Sequence, residues 1–91
     1  MAEEKIRTKH PLGKSGKNIS KNNYEIIKKA MLQILKDKEL THTELFYQLN
    51  KNLEHKFSGN ISWYGETVKL DLEAREIIER TSSKPQKCRL R

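Results

Sequence analysis

Hydrophobic positions along the chain fall into three helical stretches followed by an alternating one. In YEIIKKAMLQIL, Tyr24, Ile27, Met31, Ile34 and Leu35 recur at threes and fours, which predicts a helix from Lys21 to Lys36 with Ser20 as its N-cap. Asp37-Lys38-Glu39 reads as a polar connection and Leu40-Thr41 as a short extended piece. In ELTHTELFYQLNKNL the buried stripe is Leu45, Phe46, Leu49 and Leu53, and Thr41 followed by Glu44 spells a capping box. Residues 55–59 read as a turn anchored by Phe57. A third helix is expected to begin near Ser62 in NISWYGETVKLDLEAREII. There Ile61, Tyr64, Gly65, Val68 and Leu72 share one side, Trp63, Thr67, Leu70 and Ala74 lie almost opposite, and Ser62, Glu66, Lys69 and Glu73 run between. Beyond Glu76, IIERT and KCRLR alternate around the turn SSKPQ, the pattern of a two-stranded hairpin. Residues 1–19 show no helical period and carry Pro11, Gly13 and Gly16. They read as a loop or extended arm, which divides the chain into an arm, 1–19, and a folded domain, 20–91.

This order predicts an α+β, mainly helical fold: a winged helix-turn-helix, three helices plus a C-terminal β-hairpin wing. The stretch LEAREIIER resembles the end of a winged-helix reading helix, with Glu76 where a glycine is usual. HPLGKSGKNIS, ELTHTEL, ISWYGETVKLDLEA and IIERTSSKPQKCRL resemble stretches shared by a group of small bacterial winged-helix-like proteins of unassigned function. Cys88 stands where a tyrosine is expected in that group. The resemblance implies the fold and carries no function.

Charge sharpens the picture. The chain of 91 residues has a formal charge of +7, and it is unevenly spread. Residues 1–29 hold eight basic and three acidic side chains, residues 60–79 two basic and five acidic, and residues 80–91 five basic and no acidic. Cationic ends around a mildly acidic third helix suit a polyanion held by its flanks. The single cysteine, Cys88, excludes a disulfide framework and points to a reducing, cytoplasmic setting. MAEEKIRTK lacks the apolar run of a secretory signal, and no stretch is apolar enough for a membrane span.

Two motifs imitate chemistry that the surrounding residues do not support. Gly13-Lys14-Ser15 ends like a nucleotide-binding P-loop, but that loop needs a glycine at the position of Thr8, a strand before it and a helix beginning at the Lys-Ser. No nucleotide is therefore expected. His42-Thr43-Glu44 imitates part of a zinc deaminase, which requires further thiolates that the chain lacks. His10, His42 and His55 have no ligand spacing. No catalytic residue, metal or cofactor is expected, and Cys88 reads as a packed hydrophobe.

Two functions fit these features. In the first, the domain is a DNA-binding module, a small transcriptional regulator for double-stranded DNA. Its third helix would offer Ser62, Trp63, Glu66, Thr67 and Lys69, the wing Arg80, Lys84 and Lys87, and the arm Lys14 and Lys17. The acidic side chains Glu66, Asp71, Glu73 and Glu76 weigh against it. In the second, the strip of Trp63, Leu70 and Ala74 is a protein interface, a homodimer contact or another partner's seat. A third outcome for that strip is cover by the arm, through Ile6, Pro11 or Leu12.

Overall fold

Among residues 4–10, 12–13, 16–57 and 59–91, which the computed structural model describes, the chain forms three helices and five short strands. Strands β1 (Lys5–Arg7) and β2 (Asn18–Ser20) pair antiparallel, with Ile6 opposite Ile19. Helix α1 (Lys21–Ile34) follows without a break, its first turn closed by the Ser20 hydroxyl accepting from the Asn23 amide. Asp37 turns the chain with a left-handed backbone, φ 58°. Strand β3 (Glu39–Thr41) then leads directly into helix α2 (His42–Leu53). The capping box at that junction is complete: the Thr41 hydroxyl accepts from the Glu44 amide, and the Glu44 carboxylate accepts from the Thr41 amide. Helix α3 (Ile61–Ala74), capped by Asn60, leads to β4 (Ile78–Arg80) and β5 (Lys87–Leu90). In the second sheet β5 is central, antiparallel to both β3 and β4. No helix among the described residues is long and apolar enough to cross a membrane.

The core follows the predicted stripes. Tyr24, Ile27, Met31 and Leu35 from α1 meet Leu45, Leu49 and Leu53 from α2 and Val68 and Leu72 from α3, with Ile78 and Cys88 closing the sheet side. Each such aliphatic side chain contributes roughly 1.5–3 kcal/mol by leaving water. Gly65 sits where α2 crosses α3, and a Cβ there would meet the Phe46 ring at 2.8 Å and a Leu49 methyl at 2.9 Å. The glycine costs about 1 kcal/mol of helix propensity, but it lets the two helices close on their shared core.

The first nineteen residues, expected as an arm apart from the folded domain, contain strand β1 and most of β2, with Ile6 and Ile19 packed on the core. Beyond Arg7 the two strands stay together. The Thr8 amide donates to the Lys17 carbonyl at 2.9 Å, and the Lys17 amide donates to the Thr8 hydroxyl at 2.9 Å. A Cβ on Gly16 would collide with the Thr8 carbonyl, so the glycine just after the apparent P-loop motif serves a close backbone approach.

Helix α3 ends in a Schellman arrangement. The Ile77 amide reaches the Leu72 carbonyl at 2.9 Å and the Glu76 amide the Glu73 carbonyl at 3.1 Å. Glu76 occupies the left-handed position, φ 61°, where a Cβ costs roughly 1–2 kcal/mol. Its ion pair with Arg91, 3.0 Å and well exposed, returns little. Against the greater entropy of an unfolded glycine, Glu76→Gly is expected to raise stability by about 0.5 kcal/mol, or roughly 2–4 °C in Tm. A lower melting temperature would contradict that assignment of strain.

Candidate nucleic-acid interface

Turning 100° per residue, α3 presents three surfaces. Gly65, Val68 and Leu72 face the core. Trp63, Leu70 and Ala74 point away from it, with Thr67 beside them. Two structures flank that outward strip, β4 on one edge and the β1–β2 connection on the other.

The β4 edge is an ion network in which the lysine and the carboxylate are buried and the arginine is exposed. Lys69, expected on the outer surface, is 5% exposed, and its Nζ lies 2.7 Å from Glu73 Oε1. Arg80 Nε donates to the same oxygen at 2.9 Å. Burial pulls the Glu73 carboxyl upward, but the bonds from Arg80 and Lys69 outweigh it and hold it below the usual carboxylate range. Lys69 and Arg80 are thus engaged with Glu73 within the fold. Glu66 stays exposed, with His42 Nε2 3.8 Å from its carboxylate. His42, Glu66, Lys69, Leu70 and Arg80 line an open depression of about 260 Å³.

The arm edge is organised by Asp71, which is fully buried. Its carboxylate accepts from the Tyr24 hydroxyl on α1, from Arg75 Nε at 2.9 and 3.0 Å, and from the Lys9 amide at 2.7 Å. Burial first, and the hydrogen bond to Asp71 second, push the Tyr24 hydroxyl well above its ordinary pKa. With the Lys9 backbone held there, the far limb of the same connection brings Lys17 Nζ to 6.0 Å from the Trp63 ring centroid. Trp63 is 43% exposed. Its indole meets Tyr64 edge to face at 4.9 Å, and Tyr64 meets Phe57 likewise at 5.2 Å.

The predicted site residues therefore separate. Ser62, Trp63 and Glu66 are exposed on α3, and Lys17 lies beside Trp63. Thr67 is half-buried, its hydroxyl donating to the Trp63 carbonyl at 3.1 Å. Leu70 and Ala74, expected to be exposed, are half-buried, while Leu12, offered as cover for the strip, is 75% exposed. Pro11 and Lys14 lie outside the described residues. Lys84 is exposed in the connection between β4 and β5, and Lys87 is half-buried. The Thr41 amide, the Thr41 hydroxyl and, more weakly, the Lys87 charge hold the Glu44 carboxyl below its usual range.

Residues 5–88 match DUF6958, a family of unknown function. The chain belongs to the DUF6958 family. Neither a curated protein nor a solved structure matches it. Nothing in the sequence marks Asp71 and Tyr24 as a pair, although Asp71 with Arg75 and Lys69 with Glu73 stand at the four-residue spacing that makes helix ion pairs.

Two outcomes check these networks. Asp71→Asn would place an amide NH₂ against donors and leave Arg75 without its counter-charge. A loss of about 2–3 kcal/mol is expected in urea unfolding, and an unchanged midpoint would refute the anchor role. For Glu73, a lowered folded pKa means that its contribution is fully present above the unfolded value of roughly 4.3. That contribution is lost as pH falls through the folded value. The deficit of Glu73→Gln relative to the wild type should therefore shrink as pH drops from neutrality into the range below about 4. A deficit that is independent of pH would exclude the ion network as its source.

Proposed function

We propose that this chain is a winged-helix DNA-binding module, a small transcriptional regulator's domain that holds double-stranded DNA between its N-terminal connection and its C-terminal hairpin. The element order β3–α2–α3–β4–β5, with β5 between β3 and β4, supports a winged fold with α3 as reading helix and β4–β5 as wing. The observation that carries the DNA reading is the placement of Lys17 beside Trp63, because it joins a cation from the arm to the exposed first turn of α3. Phosphate contacts position a duplex, and the side chains between them read it.

The acidic character of α3 is a smaller obstacle in the folded chain. Asp71 is buried against Arg75, Glu73 is bound by Lys69 and Arg80, and Glu76 pairs with Arg91. Of the four acids, Glu66 is the one that faces outward without a lysine or arginine partner among the described residues. Lys17, Lys84 and Lys87 form no ion pair among those residues and are the cations assigned to phosphate. A protein interface on α3 is the weaker reading, since half-buried Leu70 and Ala74 leave Trp63 as the large exposed apolar side chain of that helix.

Binding of a labelled mixed-sequence duplex, followed by anisotropy across a salt series, tests the proposal. Three contacts at roughly 0.9 each give an expected slope of log K against log salt near −3. Replacing Lys17 or Lys84 by alanine should each flatten that slope by about 1. Absence of binding at low salt would overturn the function.

A further inference from the structure

Trp63 is a large apolar side chain left 43% exposed on a helix whose other aromatic, Tyr64, packs against the core. The indole is nonetheless held: Tyr64 supports it at an interplanar angle of 84°, and Phe57 supports Tyr64 at 78°. Both contacts are perpendicular. Among the described residues no ring lies parallel to the indole, the one stacked pair being His42 with Phe46. None of those rings takes the place of a stacking partner; the group that lies over the indole is the Lys17 ammonium, 6.0 Å from its centroid, which a stacking base would displace. Tyr47 offers a useful contrast. It is 59% exposed with Lys51 5.7 Å from its centroid, but those residues are one turn apart on α2 and would meet in any helix. Lys17 and Trp63 come from distant parts of the chain and are brought together by the pinned β1–β2 connection.

The pairing selects its ligand. A cation at the indole disfavours a cationic guest and favours a flat ring that carries a nearby negative charge, which is the chemistry of a nucleotide. Inside a duplex the base faces are covered by their neighbours and only edges are on offer in the groove. A face is available where the base is unpaired. Resting on the nucleic-acid reading above, we infer that Trp63 is a stacking seat for an unpaired nucleobase, with Lys17 placed for the adjoining phosphate. The ligand of this seat is then a strand whose bases are free of a duplex, bound in addition to the duplex held by the flanking cations. Free mononucleotide, offering one stack and little charge, binds far more weakly.

Trp63 is the chain's single tryptophan, so its emission reports on this position and no other. Full-length protein is titrated with an oligothymidylate, with a blunt mixed-sequence duplex and with thymidine monophosphate, reading both intrinsic emission and anisotropy of labelled strands. Oligothymidylate is expected to quench Trp63 and to bind more tightly than the monophosphate. Trp63→Ala should weaken single-strand binding about tenfold, Trp63→Phe should restore most of it, and duplex affinity should change far less. Lys17→Ala should flatten the single-strand salt slope by roughly 0.7. Saturation with oligothymidylate without quenching, an indifferent Trp63→Ala, or equal affinity for the monophosphate would each overturn the inference. If the duplex still binds in those cases, the proposed function stands without it. Absence of binding to both strand types would overturn the two together.

Discussion

A carboxylate shut away from water joins three parts of this chain. Asp71 takes the hydroxyl of Tyr24 from α1, the guanidinium of Arg75 one turn along α3, and the backbone amide of Lys9 from the β1–β2 connection. Burying a charge costs several kcal/mol unless its lone pairs are met by good donors. Here the donors come from elements that must all be in place at once, so the carboxylate rejects arrangements in which any one of them is displaced. The register of α1 on α3 and the course of the connection along α3 share that condition. Among the described hydrogen bonds no other joins the side chain of an α3 residue to the N-terminal segment.

The same economy governs the charges. Read linearly, residues 60–79 look repellent to a polyanion and residues 80–91 attractive. Packing cancels much of both. Arg75, Arg80, Arg89 and Arg91 each reach a carboxylate of the chain, as suits a planar fork that matches two oxygens. Most lysines instead keep their heads in water, where ammonium is well hydrated. Arg7, exposed on β1 without an ion pair among the described residues, is the exception; the cationic character left for a partner is otherwise lysine character, which favours phosphates addressed as point charges over bidentate reading of bases.

Much of the architecture was legible because it rests on periodicity and local caps. The stripes of α1 and α2, the Ser20 cap, the Thr41–Glu44 box and the terminal hairpin are each written in a few adjacent residues. Other features were not legible, for identifiable reasons. Strands β1 and β2 place one inward side chain each, Ile6 and Ile19, too few to show a period of two. Lys69 and Asp71 are polar by any scale and are buried through partners that a hydropathy pattern does not see. Gly13 imitates a phosphate loop because a turn at positive φ, here 74°, and phosphate cradling both favour a residue without a Cβ. At Glu76 the departure from glycine hid the end of α3, which the folded chain reaches through a strained left-handed residue.

Position along α3 then bears on how a nucleic acid would meet it. Toward its C-terminal half the helix is hemmed in, by the Lys69–Glu73–Arg80 network on one edge and by Asp71 with the Lys9 backbone on the other. Leu70 and Ala74 are half-buried between them. At its first turn the helix stands free, and Ser62, Trp63 and Glu66 project together. A helix confined in this way meets a partner by its N-terminal end rather than along its length, so few bases are in reach. Recognition of that kind depends on cations on either side to hold the strand while one or two side chains sample it. On the proposed reading, that holding falls to the exposed lysines and the sampling to Trp63 at the first turn of α3.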